Sequence, residues 1–183
     1  RVRVQPAGEI SGIVSDVAGQ PLAGVGVWAM DSRGVWMSTF SELSTDVGGA
    51  YVMDSLDKGS WTLAFRDGTH GLKLVSGVDV RIGEVTTLDV TLLPGIKLEL
   101  VLGGHDPGGL DITLIGPGGP VPIDLFALVE LLGLSDLTTI KSLGTLEPGL
   151  YHLTVTEGGS LLLDTDLTLT LSTGGTAQIQ LTP

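Results

Sequence analysis

Three histidines, 21 acidic side chains, nine basic ones and no cysteine are what this 183-residue chain brings to any chemistry. His70, His105 and His152 are widely separated, and none has a serine and an acid placed around it as a catalytic triad requires. His152 sits between Tyr151 and Leu153 in an alternating run and should point outward, while His70 and His105 adjoin turn glycines. All three read as surface histidines. Asp164 and Asp166 fall on one face of a strand, and Asp46 lies in a glycine-rich turn. Calcium held by carboxylate and carbonyl oxygens is one reading of these aspartates, and for Asp46 a turn-forming hydrogen bond is the other. No segment has the ligand density of an EF-hand, so no metal is assigned.

Other chemistries fare no better. Lys97 and Lys141 with an aspartate are the candidates for an isopeptide cross-link, in a chain with four lysines and no asparagine. Gly103–Gly109 and Gly116–Pro120 lack the Lys-Ser/Thr of a phosphate loop and read as turns. With no cysteine there are no disulfides, thiolate metal sites or cysteine nucleophiles. No catalytic residue and no cofactor is expected, and the chain reads as a non-enzyme.

The aromatic residues are more informative. If Val25, Val27 and Ala29 face a core, then Gly26, Trp28 and Met30 face away from it. Trp36 and Phe40 share a parity on the next strand and extend the same patch. Trp61, alternating with Leu63 and Phe65, belongs to the core. A Trp28, Met30 and Trp36 patch has three readings: contact with the second half of the chain, contact with another subunit, or a stacking platform for sugar rings. Arg1, Val2, Arg3 and Val4 also alternate, as an extra edge strand or a linker, and are the candidate segment for strand exchange with a neighbouring subunit.

Several elements must position these residues. Hydrophobic residues make up 42% and charged residues 16%, which is a packed composition and not a disordered one. The net charge of −12 repels polyanions, so nucleic acid is not an expected partner. Residues 95–183 hold two basic and ten acidic side chains, against seven and eleven in residues 1–94. No apolar run reaches the length of a membrane-spanning helix, so no membrane insertion is expected. A start at Arg1 is expected of a processed or excised chain whose export signal lies outside it.

Period-two alternation broken by many of the 28 glycines and 9 prolines predicts an all-β chain. Strands are expected at residues 10–14, 25–29, 35–40, 50–53, 61–65, 72–80 and 85–92, then at 97–102, 110–115, 150–156, 161–171 and 177–181. Leu56-Asp57-Lys58-Gly59-Ser60-Trp61 parallels Leu146-Glu147-Pro148-Gly149-Leu150-Tyr151, and Val90–Pro94 parallels Ile179–Pro183. These parallels predict two tandem sandwiches with a boundary near Pro94: an extra strand or linker at 1–7, a first module at 8–94 and a second at 95–183. Leu125, Leu128, Val129 and Leu132 are at helical spacing and Gly133 reads as a C-cap, so a helical insertion is expected near 122–143.

Gly8-Glu9-Ile10-Ser11-Gly12-Ile13-Val14-Ser15-Asp16 opens a series of motifs continued by Gly19–Val27, Thr45-Asp46-Val47-Gly48-Gly49-Ala50-Tyr51, Leu56–Phe65 and Gly83–Val90. In that order they resemble the carboxypeptidase regulatory-like domain, a transthyretin-like β-sandwich, over residues 8–92. The resemblance implies an accessory, spacer or adhesion role in a secreted or cell-surface protein, with no family catalytic residues to carry over. The second half lacks the Thr-Asp-x-x-Gly-x-Tyr segment, and its likeness rests on the internal duplication. The expected function is a structural module, spacer or repeating subunit, extracellular or at the cell surface, whose partners are copies of itself or neighbouring domains. The alternative is a carbohydrate-binding module with polysaccharide as its partner.

Overall fold

The computed structural model describes residues 7–37, 43–123, 140–170 and 175–182. Alternating burial along these residues produces mainly strands, with a 3₁₀ turn at Pro107–Gly109 and helical backbone at Ile123. The chain divides into two compact units, Arg1–Gly68 with Leu72–Leu93, and Thr69–Gly71 with Pro94–Pro183.

Unit 1 contains strands β1 (Gly8–Ser15), β2 (Gly26–Met30), β3 (Trp36–Met37), β4 (Leu43–Ser44), β5 (Ala50–Leu56), β6 (Gly59–Arg66), β7 (Lys73–Val80), β8 (Val85–Thr87) and β9 (Val90–Thr91). One sheet runs β5-β1-β8, with β9 also on β1; the other runs β3-β2-β6-β7, with β4 also on β2. Ile10, Val14, Tyr51, Leu56, Val90 and Leu92 of the first sheet and its continuation share a single core with Val27, Ala29, Leu63, Phe65, Val78 and Val80 of the second. Each fully buried Leu or Phe contributes on the order of 1.5–3 kcal/mol, which is why the alternation fixes which face of each strand turns inward.

Unit 2 contains β10 (Ile96–Val101), β11 (Leu110–Gly116), β12 (Gly119–Pro120), β13 (Ile140–Leu146), β14 (Gly149–Glu157), β15 (Ser160–Leu169) and β16 (Thr176–Gln180). Its sheets run β13-β10-β16 and β12-β11-β14-β15, the same order as in unit 1 when β5, β1 and β8 are matched to β13, β10 and β16. In both units the central strand of the first sheet pairs antiparallel on one side and parallel on the other. Leu98, Leu100, Leu114, Leu143, Leu146, Leu153 and Val155 are buried here.

Three expectations change. The single strand expected at 85–92 is two, because the chain breaks pairing at Leu88-Asp89, where Asp89 Oδ1 accepts the Ile13 amide at 2.9 Å. Of the helix expected near 122–143, residues 124–139 lie outside the described residues, but Ile140–Leu143 belong to β13. Pairing of β13 along β10, from Ile96 with Leu146 to Val101 with Ile140, sets a two-residue period there instead of a helical one. The strand expected at 35–40 is described only as Trp36–Met37, and Phe40 lies outside the described residues.

Candidate functional site

The polar residues of the Thr45–Tyr51 motif are engaged in holding loops. Thr45, 5% exposed, donates its hydroxyl to the Leu22 carbonyl at 2.6 Å and accepts the Val25 amide at 2.9 Å. Asp46 Oδ1 accepts the amides of Gly48 and Ala50 at 2.8 and 2.9 Å, the turn-forming role. Tyr51 donates to the Leu88 carbonyl at 2.7 Å and meets Phe65 edge-to-face at 5.3 Å between ring centroids. Burial, and then the Asp89 charge, push its phenol far above the ordinary range, so it remains a neutral donor.

Corresponding turns in the two units, β5 to β6 and β13 to β14, each lead from one sheet to the other and use different aromatics for one task. Trp61 Nε1 donates to the Asp57 carbonyl at 3.0 Å, and Tyr151, at the matching place, donates to the Glu147 carbonyl at 2.9 Å. Both are buried. Burial and the neighbouring Glu147 push the Tyr151 phenol up to about 12.

On β2, Val27 and Ala29 are buried while Gly26, Trp28 and Met30 are half-buried on the opposite face. The Trp28 ring lies back over Gly26, where a Cβ would stand 2.3 Å from its edge. Met30 is paired with Trp36 across to β3. Trp28 is opposite Ala64, which is opposite Leu74 on β7, so an apolar row crosses this face. Trp28, Met30 and Trp36 are thus on one face, part-covered by their neighbours.

The three histidines fall in unit 2. His70 bridges antiparallel to Pro94. His105 is half-buried beside its turn: its side chain is 15% exposed, with Nδ1 2.9 Å from Glu157 Oε2 and Nε2 3.4 Å from the Thr182 carbonyl. Those acceptors, Glu157 first, raise its pKa above the ordinary 6.5. His152 does face outward, and Asp164 and Asp166 flank it, 2.9 Å from Nε2 and 2.8 Å from Nδ1. The hydrogen bond to Asp166, followed by the charges of Asp164 and Asp166, raises its pKa as well.

The sequence placed the two aspartates on one face but missed their joining to His152, which depends on the β14–β15 register opposing His152 to Asp166. Glu157 was missed altogether. These contacts join each ring to its carboxylates, and among the described residues no group of three or more histidines, aspartates or glutamates is disposed to hold a metal ion. Lys97 reaches Glu99 at 2.7 Å. A shallow groove lined by Lys58, Asp79, Arg81 and Ile82 opens on unit 1, where Arg81 is paired to Asp79. No helix among the described residues is long and apolar enough to cross a membrane.

Two sheets around one core, with a parallel pair beside the first strand, make unit 1 a transthyretin-like β-sandwich. Residues 9–93 match the family model of the carboxypeptidase regulatory-like domain. No curated protein matches the chain. Among solved structures, the minor pilin GBS52 of Streptococcus agalactiae is 18% identical, with a TM-score of 0.39 over 50% of this chain and 46% of its own. A streptococcal ancillary pilin is 14% identical, with a TM-score of 0.38 over 97% of this chain and 63% of its own. A variant of the major pilin subunit of Bacillus cereus is 8% identical, with a TM-score of 0.37 over 96% and 99%. The chain spans less than two thirds of the first two proteins. Likeness this slight says nothing of what the chain does.

Proposed function

We propose that the chain is a non-catalytic structural part of a secreted or cell-surface assembly, built of two successive sandwich modules that meet at Pro94. It serves as a spacer or as a repeating subunit, with Arg1, Val2, Arg3 and Val4 as the strand offered to a neighbouring copy. The observation that carries this reading is the recurrence of one strand order in both units. A repeated sandwich is a means of extending length, and the motif residues of the first one, Thr45, Asp46 and Tyr51, go into bracing its loops. The domain family of residues 9–93 supports an accessory role by resemblance.

Electron microscopy and light scattering on the purified chain, with and without residues 1–7, test it. Filaments or oligomers that disappear on truncation are the expected result. A monomer in both forms removes the repeating-subunit reading and leaves the spacer.

A second reading is favoured by the β2–β3 face. Trp28 lying over Gly26, with Met30 opposite Trp36, offers indole and thioether surface of the kind that stacks on sugar rings. Titration of intrinsic fluorescence with polysaccharides would give saturable binding that Trp28→Ala abolishes. Silence across a broad glycan panel rejects it.

A further inference from the structure

We propose that the acceptor for the Arg1–Val4 segment is the open edge of β15 on a second copy of this chain, with Arg1 and Arg3 set against Asp164 and Asp166. The inference rests on the strand-exchange reading above and names its partner surface.

Among the described residues β15 pairs with β14 alone, so one side of this ten-residue strand offers unpaired backbone groups to an added strand. The strand alternates strictly at its centre: Asp164, Asp166 and Thr168 are exposed, while Thr165 and Leu167 are half-buried and Leu169 is buried. An added strand reading Arg-Val-Arg-Val has the same period. Its arginines would share the outer face with the two aspartates, and its valines would continue the inner face.

Charge singles out this edge. Unit 2 has Lys97 and Lys141 as its basic residues in 95–183, against ten acidic ones. None of the other edge strands described has two carboxylates on one face: β5 has Asp54, β7 has Lys73 and Asp79, β13 has Lys141, and β16 has no charged residue. Pairing of two β15 edges would bring four aspartates together, which disfavours self-addition and favours a basic strand. His152 meets each aspartate through one oxygen, Oδ1, and approaches from the β14 side. The second oxygen of each carboxylate is left for an arginine from the open side.

Matching both arginines to both aspartates fixes the register. Val2 falls opposite Thr165 whether the added strand runs parallel or antiparallel, and Val4 falls opposite Leu167 in the first case and Leu163 in the second.

The chain has no cysteine, so disulfide trapping is free of background. A Val2→Cys chain is mixed with a size-tagged Thr165→Cys chain and oxidised. The expected product is a disulfide-linked heterodimer, lost when the Thr165→Cys chain also carries Asp164→Lys and Asp166→Lys. It is regained when Arg1→Asp and Arg3→Asp are placed on the Val2→Cys chain. The regain separates charge matching from misfolding of the acceptor. Linkage of Val2→Cys to a Ser76→Cys chain on β7, with none to Thr165→Cys, overturns β15 as acceptor while leaving strand exchange in place. Absence of any link, in a chain that scatters as a monomer with or without residues 1–7, overturns both.

Discussion

The Leu88 carbonyl is approached from two sides: it accepts the Tyr51 hydroxyl at 2.7 Å, and it stands 1.9 Å from where a Cβ on Gly12 would be. Gly12 and Tyr51 are cross-strand partners, so one small residue admits the Leu88 backbone and one large residue ties it down. Leu88 N in turn donates to the Ser11 carbonyl at 2.8 Å. Tyr51→Phe keeps the ring against Phe65 but leaves a part-buried carbonyl short of its donor, and should lower stability by about 1–2 kcal/mol. Urea unfolding measures this, and an unchanged midpoint would mean that water takes over the hydroxyl's place.

Turns of unit 1 share one solution to reversing direction. Asp16, Asp31 and Asp46 each accept, through Oδ1, the amides two and four residues on. In each the glycine three residues on, Gly19, Gly34 or Gly49, takes a φ of 76°, 81° or 75°. The conformation is the same but the surroundings differ. A Cβ at Gly19 or Gly34 meets nothing within 4 Å, whereas at Gly49 it meets the Val14 carbonyl at 2.5 Å. Gly34→Ala should therefore cost about 1 kcal/mol, the strain of the backbone alone. Gly49→Ala should cost more, by about 1–3 kcal/mol. Parallel denaturant titrations check the order, and equal losses would show that β1 yields freely at Val14.

Over the whole molecule, charge is distributed unevenly, and pH response follows it. Unit 2 holds all three histidines. His105 and His152 each stand between two acceptors, an arrangement that only the doubly protonated ring satisfies fully. The groups facing His105 are Glu157 and the Thr182 carbonyl. Those facing His152 are Asp164 and Asp166 from β15, while β11 places Ile115 opposite it and its nearest acid, Asp111, opposite Thr156. Both histidines titrate above the ordinary 6.5 in the folded state. Their contribution is thus fully present below that value and is lost as pH rises through the raised folded pKa. Melting followed from about pH 6 to about pH 9 should show this loss, and His105→Gln together with His152→Gln should flatten it. A slope that survives both substitutions would place the pH response elsewhere.

Strand placement was legible in the sequence because a half-buried sheet imposes a two-residue period that Val25, Val27 and Ala29 write directly into the chain. The turn glycines and aspartates were legible for a similar reason, since their conformations are local. The parallel between Leu56–Trp61 and Leu146–Tyr151 was legible because each is a short local turn closed by an aromatic donor. Leu88-Asp89 was not, because the break there answers to Gly12, Ile13 and Tyr51, far away along the chain. Nor was the extent of β13, whose period is set by its partner β10. The candidate residues divide the same way. Trp28, Met30 and Trp36 took their common face from alternation and pairing, whereas His105 with Glu157 and His152 with its two aspartates came together only through long-range contacts and register. A sequence states the period and turns of its strands, because those are local energies. Tertiary structure alone decides which strands pair and in what register, and so which charges meet.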